Sequence, residues 1–204
     1  MNNLVIFASG GGSNFKTIFF NTLDNTINNS KVNLVVSNNP NCDAVRFAKS
    51  KSVDTFIINN KIYPNTKDYD RALTEKLLEY EPNLIVLAGY MKLIPKMITD
   101  VFDKKIINIH PGKLPDLGGK GFYGMNVHKA VIDRGLQKTA VTIHYVNEWY
   151  DEGMTIHEEI IDVMNDDTPE SLSDRVLKYE HQIYSKVINK ILNGEDSNEK
   201  KSTN

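Results

Sequence analysis

Cysteine is nearly absent from this chain of 204 residues, in which Cys42 is the single example. One thiol cannot support a disulfide framework within a monomer. Long apolar runs are absent too, and no charged segment followed by an apolar one opens the sequence. We therefore expect neither a membrane span nor a leader, and we interpret the chain as cytoplasmic.

A strong charge of either sign is also missing. The chain has 24 basic and 26 acidic residues, which leaves a formal net charge of −2. The two signs are interspersed rather than gathered in blocks, and this pattern argues against a nucleic-acid partner. The charge distribution therefore favours a small-molecule ligand.

The length predicts one domain, because 204 residues are enough to bury one substantial core. No internal repeat is visible. We expect a single domain over residues 1–193, followed by a polar and disordered tail over residues 194–204.

The apolar pattern alternates between strand-like and helix-like segments. Residues 84–88 are all apolar, which is typical of a central strand buried on both faces. A helix is predicted over residues 67–80, with an apolar stripe formed by Tyr69, Leu73, Leu77 and Leu78. Further strands are predicted at residues 3–8, 32–36, 55–58, 106–109, 140–146 and 154–163. Further helices are predicted to begin at Ser13 and to cover residues 43–51, 95–102, 126–134 and 169–192.

Strands that alternate with helices indicate parallel pairing with right-handed connections. We therefore predict an α/β fold, with an open, mostly parallel, twisted sheet and helices on both faces. The strands at 140–146 and 154–163 have a shorter connection and are free to pair antiparallel at one edge.

Asn108 and His110 are the first candidates for chemistry. They lie two residues apart in a short apolar strand that ends at Pro111 and Gly112, so their side chains share one face. The carboxyl ends of strands are where open α/β sheets bind ligands. A core Asn and His whose hydrogen bonds are satisfied would also explain the pair.

A glycine turn follows the first predicted strand. Residues 9–14 read Ser-Gly-Gly-Gly-Ser-Asn and precede a helix, where backbone N–H groups and the helix dipole favour an anion. The dinucleotide fingerprint requires a third glycine where Phe15 stands, and the second strand ends in residues 37–39 without a ribose-binding acid. We therefore favour a single phosphate over NAD, and a glycine turn without a ligand is the alternative.

Asp151 is the natural acid to pair with His110. It lies in a polar turn between two predicted strands, and a carboxylate beside an imidazole orients the ring and favours its charged form. An aspartate in such a position can also be only a turn former. His144 alternates with Thr142 on its strand; it can face the same cleft, but a core or surface position is the simpler interpretation.

Residues 91–94, Met-Lys-Leu-Ile, follow the central strand and would form an apolar wall at the same sheet edge, although a plain core segment explains them equally well. His128, His157 and His181 do not have the spacing of metal ligands, so we predict no metal site.

The sequence resembles the phosphoribosylglycinamide formyltransferases, which are folate-dependent enzymes of purine synthesis. Motifs that carry the resemblance extend over most of the chain in the order found in the family. They are residues 9–14 (SGGGSN), 87–92 (LAGYMK), 108–111 (NIHP), 142–146 (TIHYV), 150–153 (YDEG) and 179–181 (YEH).

This resemblance implies a Rossmann-like formyltransferase fold and transfer of a formyl group from 10-formyltetrahydrofolate, the co-substrate, to the amine of glycinamide ribonucleotide. It implies no metal, and we expect a monomer or weak homodimer. The catalytic residues it implies are Asn108, His110 and Asp151. The substrate phosphate and ribose contacts it implies are Gly11, Gly12, Ser13, Asn14 and Glu180. Its folate contacts are Met91, Lys92, Leu93, Ile94, Asn108 and Asn147, with Lys67 at the folate tail.

The chain departs from the family pattern at three places. Thr66 stands where the family often has a folate-contacting arginine, which is why Lys67, beside it, is the candidate for that contact. The turn at residues 151–153 reads Asp-Glu-Gly rather than Asp-Gly-Gly, and residues 118–124 lengthen the loop after Pro111. We interpret that long loop as functional.

By the same resemblance, the amine attacks the formyl carbon, and Asn108 with protonated His110 holds the oxygen of the tetrahedral intermediate. Asp151 would raise the pKa of His110 and assist proton transfer. A methionyl-tRNA formyltransferase or a formyltetrahydrofolate deformylase would need a further domain. A non-catalytic phosphate-binding module would need the glycine turn but none of these three side chains.

Overall fold

The computed structural model describes residues 1–195, in which seven strands form a single sheet. The strands are β1 (Asn2–Phe7), β2 (Ser30–Ser37), β3 (Asp54–Ile57), β4 (Leu84–Leu87), β5 (Ile106–His110), β6 (Lys138–Tyr145) and β7 (Thr155–Asp162). Their order is β3-β2-β1-β4-β5-β6-β7. The first five strands are parallel, whereas β6 and β7 are antiparallel and complete one edge.

Six helices of the described part of the chain cover the two faces of the sheet. They are α1 (Ser13–Leu23), α2 (Asp43–Ser50), α3 (Thr66–Tyr80), α4 (Lys96–Val101), α5 (Met125–Asp133) and α6 (Pro169–Leu192). The larger core cluster packs α1, α2, α5 and α6 on one face, and the second packs α3 and α4 on the other. This architecture confirms the predicted α/β class, with helices on both faces and an antiparallel edge.

The helix boundaries follow from local signals in the sequence. The side chain of Asn65 accepts hydrogen bonds from the first turn of α3, and α6 begins at Pro169 with a capping box between Thr168 and Ser171. These caps satisfy N–H groups that have no partner within the helix. The start of α6, predicted from Thr168 and Pro169, is confirmed.

The prediction that Leu78 belongs to the buried stripe of α3 is wrong. Leu73 and Leu77 are fully buried, but Leu78 is 53% exposed. Successive helix residues are rotated by about 100°, so the residue after Leu77 turns away from the sheet. Of the predicted tail, residues 196–204 lie outside the described part of the chain, and α6 ends at Leu192.

The sheet reverses its strand order between β1 and β4, the position at which open α/β sheets bind ligands. Two hydrogen bonds join the segments that leave the strands there. The Ser9 N–H donates to the Gly89 carbonyl at 3.0 Å, and the Met91 N–H donates to Ser9 Oγ at 3.0 Å. The start of the glycine turn is therefore hydrogen-bonded to the segment after β4.

Candidate active site

A cleft of about 300 Å³ lies beside the carboxyl ends of β4 and β5. Three segments contribute most of its wall: residues 89–93 after β4, residues 119–124 in the loop after β5, and residues 149–151 in the turn between β6 and β7. Asn108, His110 and Asp151 all line this cleft, so the structure brings together the three residues expected to carry chemistry.

Asp151 lies between the two β5 side chains. Asn108 Nδ2 donates to Asp151 Oδ1 at 3.4 Å, and His110 Nδ1 lies 3.6 Å from Asp151 Oδ2. The Gly119 N–H donates to Asp151 Oδ2 at 3.0 Å. Burial alone would raise the pKa of Asp151, but hydrogen bonds and nearby histidines lower it below its ordinary value. Asp151 is therefore a carboxylate at neutral pH.

The backbone of the turn is compatible with glutamate at position 152. Asp151 itself adopts the left-handed conformation, with φ of 57°, a region that Asp tolerates better than most residues. Glu152 has no positive φ. A side chain at Gly153 would place its Cβ 1.7 Å from the Tyr145 carbonyl oxygen, so this close approach requires glycine. The Asp-Glu-Gly sequence thus keeps the glycine that the turn needs.

The resting His110 ring is neutral at pH 7, whereas the sequence led us to expect that Asp151 keeps it charged. Its side chain is 3% exposed, and burial lowers its pKa below the ordinary value of 6.5; the Asp151 carboxylate only partly offsets this effect. The Leu117 carbonyl lies 2.7 Å from His110 Nε2 and can only accept, so Nε2 carries the hydrogen. In the neutral ring the unprotonated nitrogen is then Nδ1, which faces Asp151.

His144 belongs to this group of side chains, although the sequence favoured a core or surface role. It is 1% exposed and lines the cleft. Its Nε2 lies 3.2 Å from Asn108 Nδ2 and 3.5 Å from Asp151 Oδ1. The alternation with Thr142 on β6 was the available signal, but only the pairing of β6 with β5 places His144 opposite Asn108.

The loop after β5 is fastened to the sheet and covers part of the cleft. Thr142 Oγ1 donates to the Gly112 carbonyl at 2.8 Å, and Leu117 is 1% exposed in the larger core cluster. From these anchors the loop continues to residues 119–124, which line the cleft. The additional glycine-rich segment is thus part of the wall.

The glycine turn opens α1 with an uncapped N-terminus. Gly12 is the N-cap residue, has φ of 69° and offers no side chain to the first helical N–H groups. A Cβ at this position would lie 2.8 Å from the Ala44 Cβ. Uncapped N–H groups at the start of an 11-residue helix are suited to an anion.

Asn14 and Glu180 contact each other at the base of this turn. Asn14 Nδ2 donates to Glu180 Oε2 at 2.6 Å, and both side chains are buried. Burial raises the pKa of Glu180 to about 7, although the bond from Asn14 acts in the opposite direction. Asn14 Oδ1 is buried without a hydrogen-bond partner among the described residues. The two residues expected at the phosphate and ribose are therefore neighbours.

The residues expected to contact folate are not all at the cleft. Met91, Lys92 and Leu93 line it, but Ile94 is 2% exposed and packs in the core with α3 and α4. The Asn147 Oδ1 accepts the Trp149 N–H at 3.0 Å and does not line the cleft. These two positions support the wall rather than form it.

A second cavity of about 1030 Å³ adjoins the first and shares Lys92, Leu93 and Tyr150 with it. Thr66 lines this second cavity, whereas Lys67 is exposed and lines neither. The cation that connects the two cavities is therefore Lys92.

Aromatic side chains also form part of the cleft wall, two of them in the turn at residues 147–153, which the family resemblance implies at the folate. Tyr90, Trp149 and Tyr150 line it, and the Tyr90 hydroxyl lies 3.3 Å from that of Tyr69. No local pattern marks these residues, because separate segments bring them together. Within residues 1–195, no group of three potential metal ligands comes together, and no helix is long and apolar enough to cross a membrane.

Comparisons with known proteins match this arrangement to one family. The formyl transferase family model matches residues 2–188. The chloroplastic phosphoribosylglycinamide formyltransferase of Arabidopsis thaliana is 40% identical over 189 residues, which are 92% of this chain and 64% of that protein. The chain therefore spans less than two thirds of the length of this plant relative.

A bacterial relative is similar over its whole length. Phosphoribosylglycinamide formyltransferase of Bacillus subtilis (strain 168) is 33% identical over 200 residues, which are 98% of this chain and 100% of that protein. The crystal structure of phosphoribosylglycinamide formyltransferase from Bacillus halodurans superposes with a TM-score of 0.86 at 29% identity, covering 94% of this chain and 95% of the other. The chain belongs to the formyl transferase family, among the phosphoribosylglycinamide formyltransferases.

Proposed function

We propose that this protein transfers the formyl group of 10-formyltetrahydrofolate to the amine of glycinamide ribonucleotide, a step of de novo purine biosynthesis. The observation that supports this proposal best is the meeting of Asn108, His110 and Asp151 at one cleft. The cleft wall after β4 is hydrogen-bonded to Ser9, at the start of the turn that opens α1. An amide donor can stabilise the oxyanion that forms during formyl transfer to an amine, and a neutral imidazole beside a carboxylate can move the proton.

In this proposal the folate ring occupies the cleft between residues 89–93 and the turn at residues 149–151. This wall combines apolar and aromatic side chains with a few polar groups, as small-molecule sites do. The glutamate tail extends toward the second cavity, and Lys92, which lines both cavities, is placed to meet its carboxylate; Lys61 and Lys96 also line the second cavity. Lys92 thus takes the role for which Lys67 was the candidate in the sequence.

The ribonucleotide phosphate binds at Gly11, Gly12 and Ser13, where the N-terminus of α1 provides N–H groups. Glu180 reaches the ribose. Because its pKa is raised to about 7, Glu180 is partly protonated at neutral pH and can donate or accept a hydrogen bond with a hydroxyl group. Asn14 holds this carboxyl in place.

The reaction begins when the substrate amine attacks the formyl carbon. The carbonyl oxygen becomes negative and accepts a hydrogen bond from the Asn108 amide, which is already in place before the charge develops. The attacking nitrogen becomes positive and passes a proton to Nδ1 of neutral His110.

Asp151 then stabilises the imidazolium that has formed, and His110 Nδ1–H also stabilises the oxyanion. Collapse of the intermediate breaks the bond to the folate nitrogen, which receives the proton. The products are the formylated amine and tetrahydrofolate, so atoms and charge balance. His110 is thus a cation only during the reaction, which agrees with its lowered pKa in the resting protein.

The direct test mixes the protein with glycinamide ribonucleotide and 10-formyltetrahydrofolate and follows the folate absorbance. We expect turnover that requires both substrates and disappears in His110→Ala, while calorimetry shows that this variant still binds the ribonucleotide. Loss of the formyl group without ribonucleotide would identify water as the acceptor and contradict the proposal. Full activity of His110→Ala would contradict the assigned role of His110.

A further inference from the structure

The amide of Asn108 can assist the reaction only if its NH₂ end, rather than its oxygen, faces the formyl oxygen. The two ends of an amide have nearly the same shape, so packing alone does not choose between them. Some neighbouring group must select the orientation by its hydrogen-bonding character.

His144 is placed to make this selection. In the antiparallel pairing of β5 with β6, Asn108 lies directly opposite His144, and opposite residues project from the same face of a sheet. The His144 ring is 1% exposed, so water does not compete for its nitrogens. Its Nε2 lies 3.2 Å from Asn108 Nδ2.

The protonation of the His144 ring follows from its second contact. Nδ1 lies 2.8 Å from the Tyr145 carbonyl oxygen, which can only accept a hydrogen bond. Nδ1 therefore carries the hydrogen, and in the neutral ring Nε2 presents a lone pair. A lone pair at 3.2 Å accepts an N–H of Asn108 and repels the amide oxygen.

Asp151 selects the same end of the amide. Its Oδ1 accepts from Asn108 Nδ2 at 3.4 Å, so two acceptors face the NH₂ group. The alternative is a hydrogen on His144 Nε2 that points at Asp151, 3.5 Å away. That hydrogen would face the NH₂ group of Asn108 at the shorter distance of 3.2 Å, an arrangement of two donors.

We propose that His144 is a positioning residue for formyl transfer: its Nδ1–H tautomer, selected by the Tyr145 carbonyl, orients the Asn108 amide with its N–H groups available to the formyl oxygen. When substrate binds, the formyl oxygen replaces the longer bond to Asp151, and the bond to His144 continues to hold the amide. This inference rests on the proposed function and adds a residue to it.

The first test is independent of activity. In ¹⁵N NMR of histidine-labelled protein without ligands, at about pH 8, where an ordinary histidine is neutral, the His144 signals should show a protonated Nδ1 and an unprotonated Nε2. The signals of His144 are identified as those that are missing from the spectrum of His144→Gln. Observation of the Nε2–H tautomer would overturn the proposal.

The second test is a double-mutant cycle with His144→Phe and Asn108→Ala. We expect His144→Phe to lower kcat by roughly tenfold to a hundredfold, the size of effect that misplacement of a reacting group produces, with both KM values within about twofold. In the Asn108→Ala background the same substitution should have almost no further effect, because its action passes through the amide. Effects that multiply would overturn the proposal.

His144→Gln is the conservative variant, since its side-chain oxygen can accept the Asn108 N–H and should restore part of kcat. Denaturant unfolding of each variant shows whether a loss of kcat comes from lost stability rather than from lost orientation of the amide. Equal losses of kcat in His144→Phe and His144→Gln would contradict the proposal. If the wild-type protein does not transfer formyl groups, the proposed function fails, while the tautomer measurement still decides the arrangement of the two side chains.

Discussion

Glu180 on α6 accepts a hydrogen bond of 2.6 Å from Asn14 on α1, although 166 residues separate them in sequence. The contact joins the first and last helices beneath the glycine turn. Glu180 is 8% exposed, and its pKa is raised to about 7 from the ordinary 4.5. A carboxyl whose pKa rises on folding makes the stability of the protein depend on pH.

Glu180→Gln should remove part of that dependence. Between about pH 4.5 and pH 7 the folded protein binds more protons than the unfolded chain, so wild-type stability falls as the pH rises through this range. Glutamine does not ionise, and the variant should gain up to about 3 kcal/mol relative to wild type between pH 5 and pH 8. Denaturant unfolding at both pH values measures this. Asp174→Asn, an exposed site on the same helix, is the control; equal pH dependence of wild type and Glu180→Gln would contradict the assignment.

Asp151→Asn should lower turnover while both substrates still bind. Asparagine tolerates the positive φ at this position, so the turn is retained, but the charge that stabilises imidazolium is lost. We expect kcat to fall on the order of a hundredfold, about 3 kcal/mol of transition-state stabilisation. The pKa of His110, followed by NMR, should fall further, because Asp151 opposes the effect of burial. Glu152→Gln is the neighbouring control; near-normal turnover with unmoved His110 titration would leave Asp151 as a turn former.

The activity should be insensitive to pH near neutrality and decline only on the acid side. In the proposed mechanism the proton acceptor is neutral His110, and burial holds its pKa below 6.5. Neutral His110 is therefore already the main form at pH 7, and protonation removes the acceptor as the pH falls through the lowered pKa. A kcat profile from pH 5 to pH 8 with both substrates saturating measures this, because kcat/KM for the ribonucleotide would also report the titration of Glu180 near pH 7. A rise in activity toward acid pH would show that the charged ring is the active form.

Gly12→Val should weaken binding of glycinamide ribonucleotide far more than binding of folate. A side chain here meets Ala44 at 2.8 Å and is disfavoured by φ of 69°, so the turn must move away from the phosphate. We expect at least a tenfold loss of ribonucleotide affinity, about 1.4 kcal/mol. Calorimetry with each ligand measures it, and Gly10→Ala, where a Cβ meets nothing within 4 Å, is the control. Equal weakening of both ligands would count against a phosphate site.

Lys92→Ala should raise the KM for folate and change kcat little, because a contact with the tail stabilises ground and transition states alike. An exposed ion pair contributes at most about 1 kcal/mol, so a rise of roughly fivefold is the upper range. Lys67→Ala is the matched control, since Lys67 is exposed and lines neither cavity. A larger effect in Lys67→Ala than in Lys92→Ala would return the tail contact to Lys67.

Much of the fold could be predicted from the sequence, because the signals are local. The apolar run at residues 84–88 contains β4, and Thr168 with Pro169 marks the start of α6. The alternation of strand and helix patterns was enough to predict a parallel sheet with an antiparallel edge. Such patterns involve residues that are close in sequence, so they can be recognised without knowing how the rest of the chain folds.

The candidate site could be predicted only in part from such local patterns. Asn108 and His110 share a face through the two-residue period of a strand, which the sequence shows directly. The pairing of His144 with Asn108 depends on the register of β6 against β5, to which no local pattern points. The lowered pKa of His110 depends on burial beneath the loop that contains Leu117. The proposal that Lys92 rather than Lys67 contacts the folate tail depends on which segments surround the two cavities. The local sequence pattern therefore determined the helices and strands and the shared face of Asn108 and His110. Non-local packing decided the charge states of the site and its other side chains, such as His144, because burial and strand register exist only in the assembled sheet.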